Sequence, residues 1–123
     1  MVDVRDIASS AASILTAAGD KFVGKTYTPT GPELISLGAV AGALSSALDK
    51  PVDYVDVPID GSRQAMLGMG FPGWTVEGYL EYFQSYSTGW GDFANDDVTT
   101  VTGKLARSIA QFAEDFAAVF QGG

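Results

Sequence analysis

The stretch that decides the fold is residues 25–58, KTYTPTGPELISLGAVAGALSSALDKPVDYVDVP. Its centre, residues 34–48, carries apolar side chains at intervals of three and four and predicts a helix with Ser36 as N-cap. The β-prone runs on either side, residues 25–30 and 52–58, predict two short strands. Two strands joined through a helix form a βαβ-like unit, and the right-handed crossover rule favours a parallel pair.

Helical periodicity dominates the rest of the chain. The predicted helices are residues 3–18 with Asp3 as the capping acid, a segment after Pro58 that ends near Gly70, residues 75–87, a short turn at 96–101, and a last helix from Ser108 to the terminal Gly122-Gly123. The expected fold class is therefore helix-rich α/β. A small two-stranded parallel sheet, covered by about five helices, would form a single domain over residues 1–123.

Composition narrows the function classes. The chain has 123 residues, enough for one domain with its own core. Its net charge of −8, from 15 acids against 7 bases, would repel phosphate backbones and anionic lipids, so no nucleic acid and no membrane partner is expected. The absence of cysteine and histidine excludes disulfides, thiol nucleophiles, imidazole bases and the usual zinc ligands. No signal-like segment opens the chain, which predicts a cytoplasmic location.

An ordered series of segments carries a resemblance to a known family. The series comprises residues 2–8, the run Gly24–Glu33, the helix with Ala39-Val40-Ala41, the run Lys50–Pro58, and a final segment over residues 97–113. In this order and at these separations the chain resembles the C-terminal, substrate-side portion of the NmrA-like atypical short-chain dehydrogenase/reductase family, which includes NAD(P)H:quinone reductase-like proteins.

The resemblance implies a Rossmann-type reductase whose N-terminal half holds NAD(P) and whose smaller C-terminal lobe covers a substrate, often a quinone or another small carbonyl or conjugated compound. This chain has no Gly-rich turn between a strand and a helix. Residues 68–73 have GxGxxG spacing, but they follow a helical stretch and include Pro72. We therefore expect no dinucleotide to bind this chain alone, and a truncated polypeptide or a partner that supplies the Rossmann half.

A dense set of aromatic side chains between residues 71 and 90 suggests a ligand pocket, because aromatic walls with a few hydroxyls suit flat apolar ligands. In the implied family this region helps to form the wall that faces the substrate. The predicted substrate-binding residues are Met66, Met69, Phe71, Trp74, Tyr82 and Tyr86. For the two methionines the alternative is packing in the core or at an interface, and for the four aromatic residues it is a surface that the missing half leaves exposed. Core packing is the expectation for Tyr79 and Phe83.

Two groups of acids have a chemical and a simpler interpretation. Asp53, Asp56 and Asp60 could include an acid–base pair, but their alternation with apolar residues favours a solvated strand face. Asp92, Asp96 and Asp97 resemble a loose cation-binding loop without the glycine and terminal glutamate of a calcium hand, and helix capping explains them better. No catalytic residue and no metal ligand is assigned, and whether the chain is an enzyme stays open.

Three hypotheses about function follow. The first is a substrate-binding lobe of an NmrA-like NAD(P)-dependent reductase. The second is a small stand-alone enzyme or ligand-binding protein that uses the aromatic pocket for a small apolar or aromatic ligand. The third is a homo-oligomeric interaction module. Because a truncated half exposes surface that its other half would bury, a homodimer that pairs two sheet edges is also expected.

Overall fold

The computed structural model describes residues 1–121, which contain seven helices and no strand. The described residues divide into two compact units: the first comprises residues 1–54 and 93–121, and the second comprises Val55–Asp92. The helices are α1 (Val4–Leu15), α2 (Leu37–Leu48), α3 (Ile59–Gly68), α4 (Gly73–Ser87), α5 (Asp97–Thr102), α6 (Ile109–Asp115) and α7 (Ala117–Gln121). The helix-rich character is as expected, while the single domain stays a prediction.

Side-chain caps fix the starts of three helices in the first unit. The Asp3 carboxylate accepts a hydrogen bond from the Arg5 N–H at 2.8 Å, which starts α1. The Ser36 hydroxyl accepts from the Ala39 N–H at 3.2 Å, and the Ser108 hydroxyl accepts from the Gln111 N–H at the same distance. Each cap satisfies a backbone donor that the first turn of a helix leaves free. The predicted caps Asp3 and Ser36 are confirmed.

The core of the first unit consists of alanine, valine and leucine side chains. Helix α2 packs against α6 and α7, and α1 packs against α5. The buried apolar residues of this unit are Ala41, Leu48, Val98, Val101 and Ala113.

Helix α1 buries a polar face instead of its apolar one. Asp6 and Ser10 are buried, whereas Ile7, Ile14 and Leu15 are 45%, 36% and 84% exposed. The charged partner of Asp6, Arg107, decides which face turns inward.

The two-stranded sheet is not confirmed, since neither predicted strand pairs within residues 1–121. The backbone of both segments hydrogen bonds to side chains instead. Thr28 donates its N–H to Asp97 Oδ2 at 2.7 Å. Val52 donates its N–H to the Ser45 hydroxyl at 2.8 Å, and that hydroxyl lies 3.1 Å from the Val52 carbonyl oxygen. Backbone groups that already form hydrogen bonds with side chains are not available for hydrogen bonds between two strands.

Helices α3 and α4 pack against each other to form the second unit. Val76 and Leu80, one helical turn apart on α4, are its most buried side chains at 0% and 3% exposed. Tyr79 and Phe83, expected in the core, are 46% and 48% exposed, so that expectation was wrong. A helix that packs on one side against a single partner can bury only a narrow stripe, and Val76 and Leu80 occupy it.

The last predicted helix is divided in two. Helix α6 ends at Asp115 and α7 begins at Ala117, with Phe116 in a non-helical conformation between them. The Phe116 ring lies 4.9 Å from that of Phe112 between ring centres and 5.0 Å below the Arg5 guanidinium. The predicted end of the chain's last helix at Gly122-Gly123 lies outside the described residues.

Candidate functional site

The six predicted substrate-binding residues all lie in the second unit, and five of them are exposed. Trp74 is 82% exposed and Met69 is 68% exposed, whereas Met66 is half-buried. Phe71, Tyr82 and Tyr86 lie between these extremes at 41–50%. Of the six, only Tyr82 and Tyr86 are joined by an aromatic or hydrogen-bond contact in the described part of the chain.

Tyr82 and Tyr86 form a compact group with Trp90, which we call the aromatic cluster. The ring centres of Tyr82 and Tyr86 are 4.5 Å apart, and Trp90 lies edge-on at 5.5 Å from Tyr86 and 6.3 Å from Tyr82. The tyrosines are one turn apart on α4, which brings their side chains together. Trp90 belonged to the same dense aromatic stretch but was missing from the predicted site, because its position depends on the turn after α4.

Two glycines shape the turn that returns Trp90 to the tyrosines. Gly89 has a φ of +87°, a conformation that side-chain-bearing residues rarely adopt. A Cβ at Gly91 would lie 2.4 Å from Cε1 and 2.8 Å from Cδ1 of Tyr86. The backbone at residue 91 therefore lies directly against the Tyr86 ring, and only glycine permits this approach without moving that ring.

A hydrogen bond joins the polar ends of the two tyrosines. The hydroxyl oxygens of Tyr82 and Tyr86 are 2.7 Å apart and share a hydrogen bond. This bond with Tyr82, together with partial burial, raises the pKa of Tyr86 above its ordinary value. Ionisation of Tyr86 would place a negative charge beside the hydroxyl oxygen of Tyr82, so the neutral form of Tyr86 is favoured.

The first unit contains an open apolar groove of about 500 Å³. Its walls include the opening residues Met1–Val4, the turn at Gly31, and the side chains of Val40, Ile109 and Phe112. None of the six predicted residues contributes to it. The Gly31 N–H donates to the Met1 carbonyl oxygen at 2.6 Å, which fixes one edge of the groove.

Asp3, which lines this groove, belongs to a network of charged side chains. Arg5 donates to both Asp3 carboxylate oxygens and, at 2.7 Å, to Asp115. The hydrogen bonds from the Arg5 side chain are the main reason that the pKa of Asp3 lies below its ordinary value. Both carboxylates raise the pKa of the Arg5 guanidinium, with the Asp3 hydrogen bond the larger cause. Sequence reasoning missed this network because it depends on the return of α6 to the start of the chain.

A smaller polar cleft of about 150 Å³ lies beside Asp6 and Arg107 in the same unit. Asp6 Oδ2 accepts the Arg107 N–H at 2.7 Å, and its Oδ1 accepts from the Arg107 guanidinium. Asp6 is 3% exposed, so its charge is stabilised by this pair and not by water. The pair is therefore structural in character.

The two groups of acids are dispersed. Asp53, Asp56 and Asp60 are exposed, in agreement with the interpretation of a solvated surface. Asp97 Oδ2 accepts hydrogen bonds from the Thr28 N–H and the Asn95 amide, while Asp96 is the N-cap residue of α5 without a side-chain cap. Within residues 1–121 no group of three or more acidic side chains could hold a metal ion, and no helix is long and apolar enough to cross a membrane.

The run Gly68–Gly73 does not fit a dinucleotide. Gly68 ends α3 and Gly73 begins α4, so the run joins two helices. A dinucleotide pyrophosphate is bound in a turn from a strand to a helix, at the helix N-terminus. The helical stretch expected before this run is confirmed.

Two curated proteins match nearly the whole chain. An NAD(P)H azoreductase from Xenophilus azovorans is 38% identical over 119 residues, which is 97% of this chain and 41% of the relative. A (4-alkanoyl-5-oxo-2,5-dihydrofuran-3-yl)methyl phosphate reductase from Streptomyces griseus is 29% identical over the same length and share of each protein. The chain thus spans about two fifths of the length of the curated relatives it matches. No family model matches it.

Solved structures show the same fold. A triphenylmethane reductase from Citrobacter sp., in complex with NADP(H), superimposes with a TM-score of 0.74 at 23% identity, covering 94% of this chain and 39% of the reductase. An NADPH-dependent quinone oxidoreductase from Escherichia coli gives a TM-score of 0.73 at 22% identity, covering 90% and 40%. The resemblance drawn from the sequence is therefore confirmed: over nearly its whole length, this chain is similar to about two fifths of these reductases.

Proposed function

We propose that this chain is the substrate-side lobe of an NAD(P)-dependent reductase and that it does not bind the dinucleotide by itself. The observation that carries the proposal is the 38% identity to an NAD(P)H azoreductase over 97% of this chain. The run Gly68–Gly73 joins two helices and therefore lacks the strand-to-helix turn that binds a pyrophosphate. This supports the proposal that the chain alone does not bind the dinucleotide. Hydride chemistry belongs to the nicotinamide, so the lobe contributes binding and orientation.

The substrate class follows from the relatives and from the aromatic side chains of the second unit. The relatives are named for azo, triphenylmethane and quinone reduction. Exposed aromatic faces such as those of Tyr86 and Trp90 suit conjugated, largely apolar substrates. We therefore propose conjugated aromatic or quinone-like compounds as substrates, with Met66, Met69, Phe71, Trp74, Tyr82 and Tyr86 as the residues that contact them.

A chimera tests the proposal. The matching 119 residues of the Xenophilus azovorans azoreductase are replaced by this chain, and NAD(P)H oxidation is followed with an azo dye. We expect turnover within about tenfold of the parent, an activation difference of about 1.4 kcal/mol. The parent without this region should be inactive. A chimera that binds NADPH and is folded, yet is inactive with azo, quinone and triphenylmethane compounds, would contradict the proposal.

Calorimetric titration of NADH and NADPH into this chain alone tests the second part. We expect no saturable heat, because a dinucleotide needs the Gly-rich turn from strand to helix. Binding in the micromolar range would show that the chain holds the cofactor without another half.

The apolar face of α1 favours a second candidate, a homo-oligomeric module. Leu15 is 84% exposed and Ile7 is 45% exposed, and surfaces of this kind usually end in interfaces. Light scattering after size exclusion should give twice the monomer mass, and Leu15→Lys should restore the monomer. If the wild-type chain is a monomer at all concentrations, the homo-oligomer is contradicted, and the remainder of a reductase is then the expected partner of this face.

A further inference from the structure

The aromatic cluster presents ring faces to solvent in a fixed arrangement. Trp90 is 67% exposed, Tyr82 is 50% exposed and Tyr86 is 44% exposed. The three rings are held in place by tilted and edge-on contacts with one another. The ring of Tyr86, which contacts both of the others, also lies against the backbone of Gly91, and this limits its motion. A ligand that stacks on the cluster would therefore meet rings that are already positioned, which lowers the entropic cost of binding.

The charge of the second unit is strongly negative. Residues 55–92 contain five acids, Asp56, Asp60, Glu77, Glu81 and Asp92, against the single base Arg63. That base is neutralised by an ion pair, since Arg63 Nη1 lies 2.8 Å from Glu77 Oε1. The ring faces of tyrosine and tryptophan carry negative electrostatic potential, which attracts cations. The net charge of the second unit and the aromatic rings thus both favour a cationic ligand.

We propose that the aromatic cluster binds planar aromatic cations by stacking on Tyr86 and Trp90. This deepens the proposed function by naming a substrate class for the same wall, and it rests on that function only for the role of the ligand as a substrate. A positive charge is preferred because both the cluster and the unit that carries it attract cations. A planar ring is preferred because the exposed indole of Trp90 offers a broad flat face.

A matched series of tricyclic compounds separates charge from shape. N-methylacridinium is a cation, acridine is neutral at mildly alkaline pH, and acridine-9-carboxylate is an anion, all on one ring system. Calorimetric titration of each into the full chain at low salt should rank them cation, neutral, anion, with about tenfold between the first and the last. Added salt should narrow the gap, because it screens the charge of the unit.

Variants locate the site. Trp90→Leu and Tyr86→Leu should each lower the affinity for N-methylacridinium about fivefold or more, since each removes a ring face. Gly91→Ala should have a similar effect, because its Cβ displaces the Tyr86 ring. The control is Tyr27→Leu, which removes a tyrosine of the first unit whose ring pairs edge-on with Phe22 at 5.8 Å. Circular dichroism confirms that each variant is folded.

The outcomes decide between the inferences. Equal affinities across the three compounds, or no binding of the cation, would overturn the preference for cations. Unchanged affinity in folded Trp90→Leu and Tyr86→Leu would overturn the location. If the cation proposal fails but the azoreductase chimera is active, the proposed function is unaffected. If the cation binds but the chimera is inactive, the binding site is supported and its role in a reductase is contradicted.

Discussion

Asp6 in α1 binds Arg107 across 101 residues of sequence, through the backbone N–H at 2.7 Å and through the guanidinium. The pair links the start of the chain to the segment before α6 and turns the polar face of α1 inward. A buried carboxylate can take this place only because both of its oxygens have donors.

Asp6→Ala should lower the free energy of unfolding by about 2–3 kcal/mol, since it removes two charge-assisted hydrogen bonds from a buried position. Urea unfolding followed by circular dichroism measures the effect. Asp20→Ala, at an exposed position, is the control and should change stability by less than about 0.5 kcal/mol. Equal effects of the two substitutions would show that the pair does not stabilise the fold.

Asp3→Asn should change the dependence of stability on pH. The hydrogen bonds from Arg5 lower the folded-state pKa of Asp3, so its carboxylate contributes fully above the unfolded pKa of about 3.9. That contribution is lost as the pH falls through the lower folded value. We expect the difference in unfolding free energy between wild type and Asp3→Asn to be largest near neutrality and to shrink in acid. A difference that stays constant would contradict this assignment.

Gly31→Ala and Gly42→Ala form a matched pair with opposite expected signs. A Cβ at Gly31 would lie 2.4 Å from the Met1 carbonyl oxygen, a backbone atom, so we expect a loss of about 1–3 kcal/mol. A Cβ at Gly42 meets nothing within 4 Å on α2, so alanine should stabilise the helix by about 0.5–1 kcal/mol. Thermal unfolding measures both. A stabilising Gly31→Ala would show that the contact between residues 1 and 31 is loose.

Ser10→Ala should stabilise the protein by about 1 kcal/mol, because the buried Ser10 hydroxyl has no hydrogen-bond partner among the described residues and alanine is the better helix former. Ser9→Ala is the neighbouring control. Its hydroxyl is exposed and donates to the Arg5 carbonyl oxygen at 2.7 Å. Denaturant midpoints compare the two, and a destabilising Ser10→Ala would indicate a partner for that hydroxyl.

Tyr82→Phe should lower the pKa of Tyr86 towards its ordinary value, because the hydrogen bond that raises it is removed. Carbon-13 labelling of tyrosine and the chemical shift of each ring Cζ resolve the individual titrations. Tyr79→Phe, which changes a tyrosine outside the pair, is the control. A Tyr86 titration that is the same in both variants would show that the pair does not form in solution.

Much of the helical structure could be predicted from local sequence. Asp3 and Ser36 were predicted as caps because short polar side chains satisfy the free donors of a first turn, and α4 was predicted within two residues of its start. The pairing of residues 25–30 with 52–58 could not be settled in this way, because strand propensity does not say whether a neighbouring strand is present.

The candidate site was predicted only in part. The i, i+4 spacing of Tyr82 and Tyr86 placed two rings side by side, but Trp90 joins them through a glycine turn whose direction the spacing does not encode. The network of Asp3, Arg5 and Asp115 was missed entirely, since Asp115 lies 110 residues from Arg5 in the chain.

The sequence by itself determined the resemblance to reductases, the helical segments, their caps and the strongly negative charge, because each of these depends on neighbouring residues or on composition. Only the tertiary structure decided which face of α1 is buried, where Arg107 binds, and that Trp90 completes the aromatic cluster. The physical reason is range: helix propensity and capping act over a few residues, whereas burial and ion pairing depend on which distant segments meet.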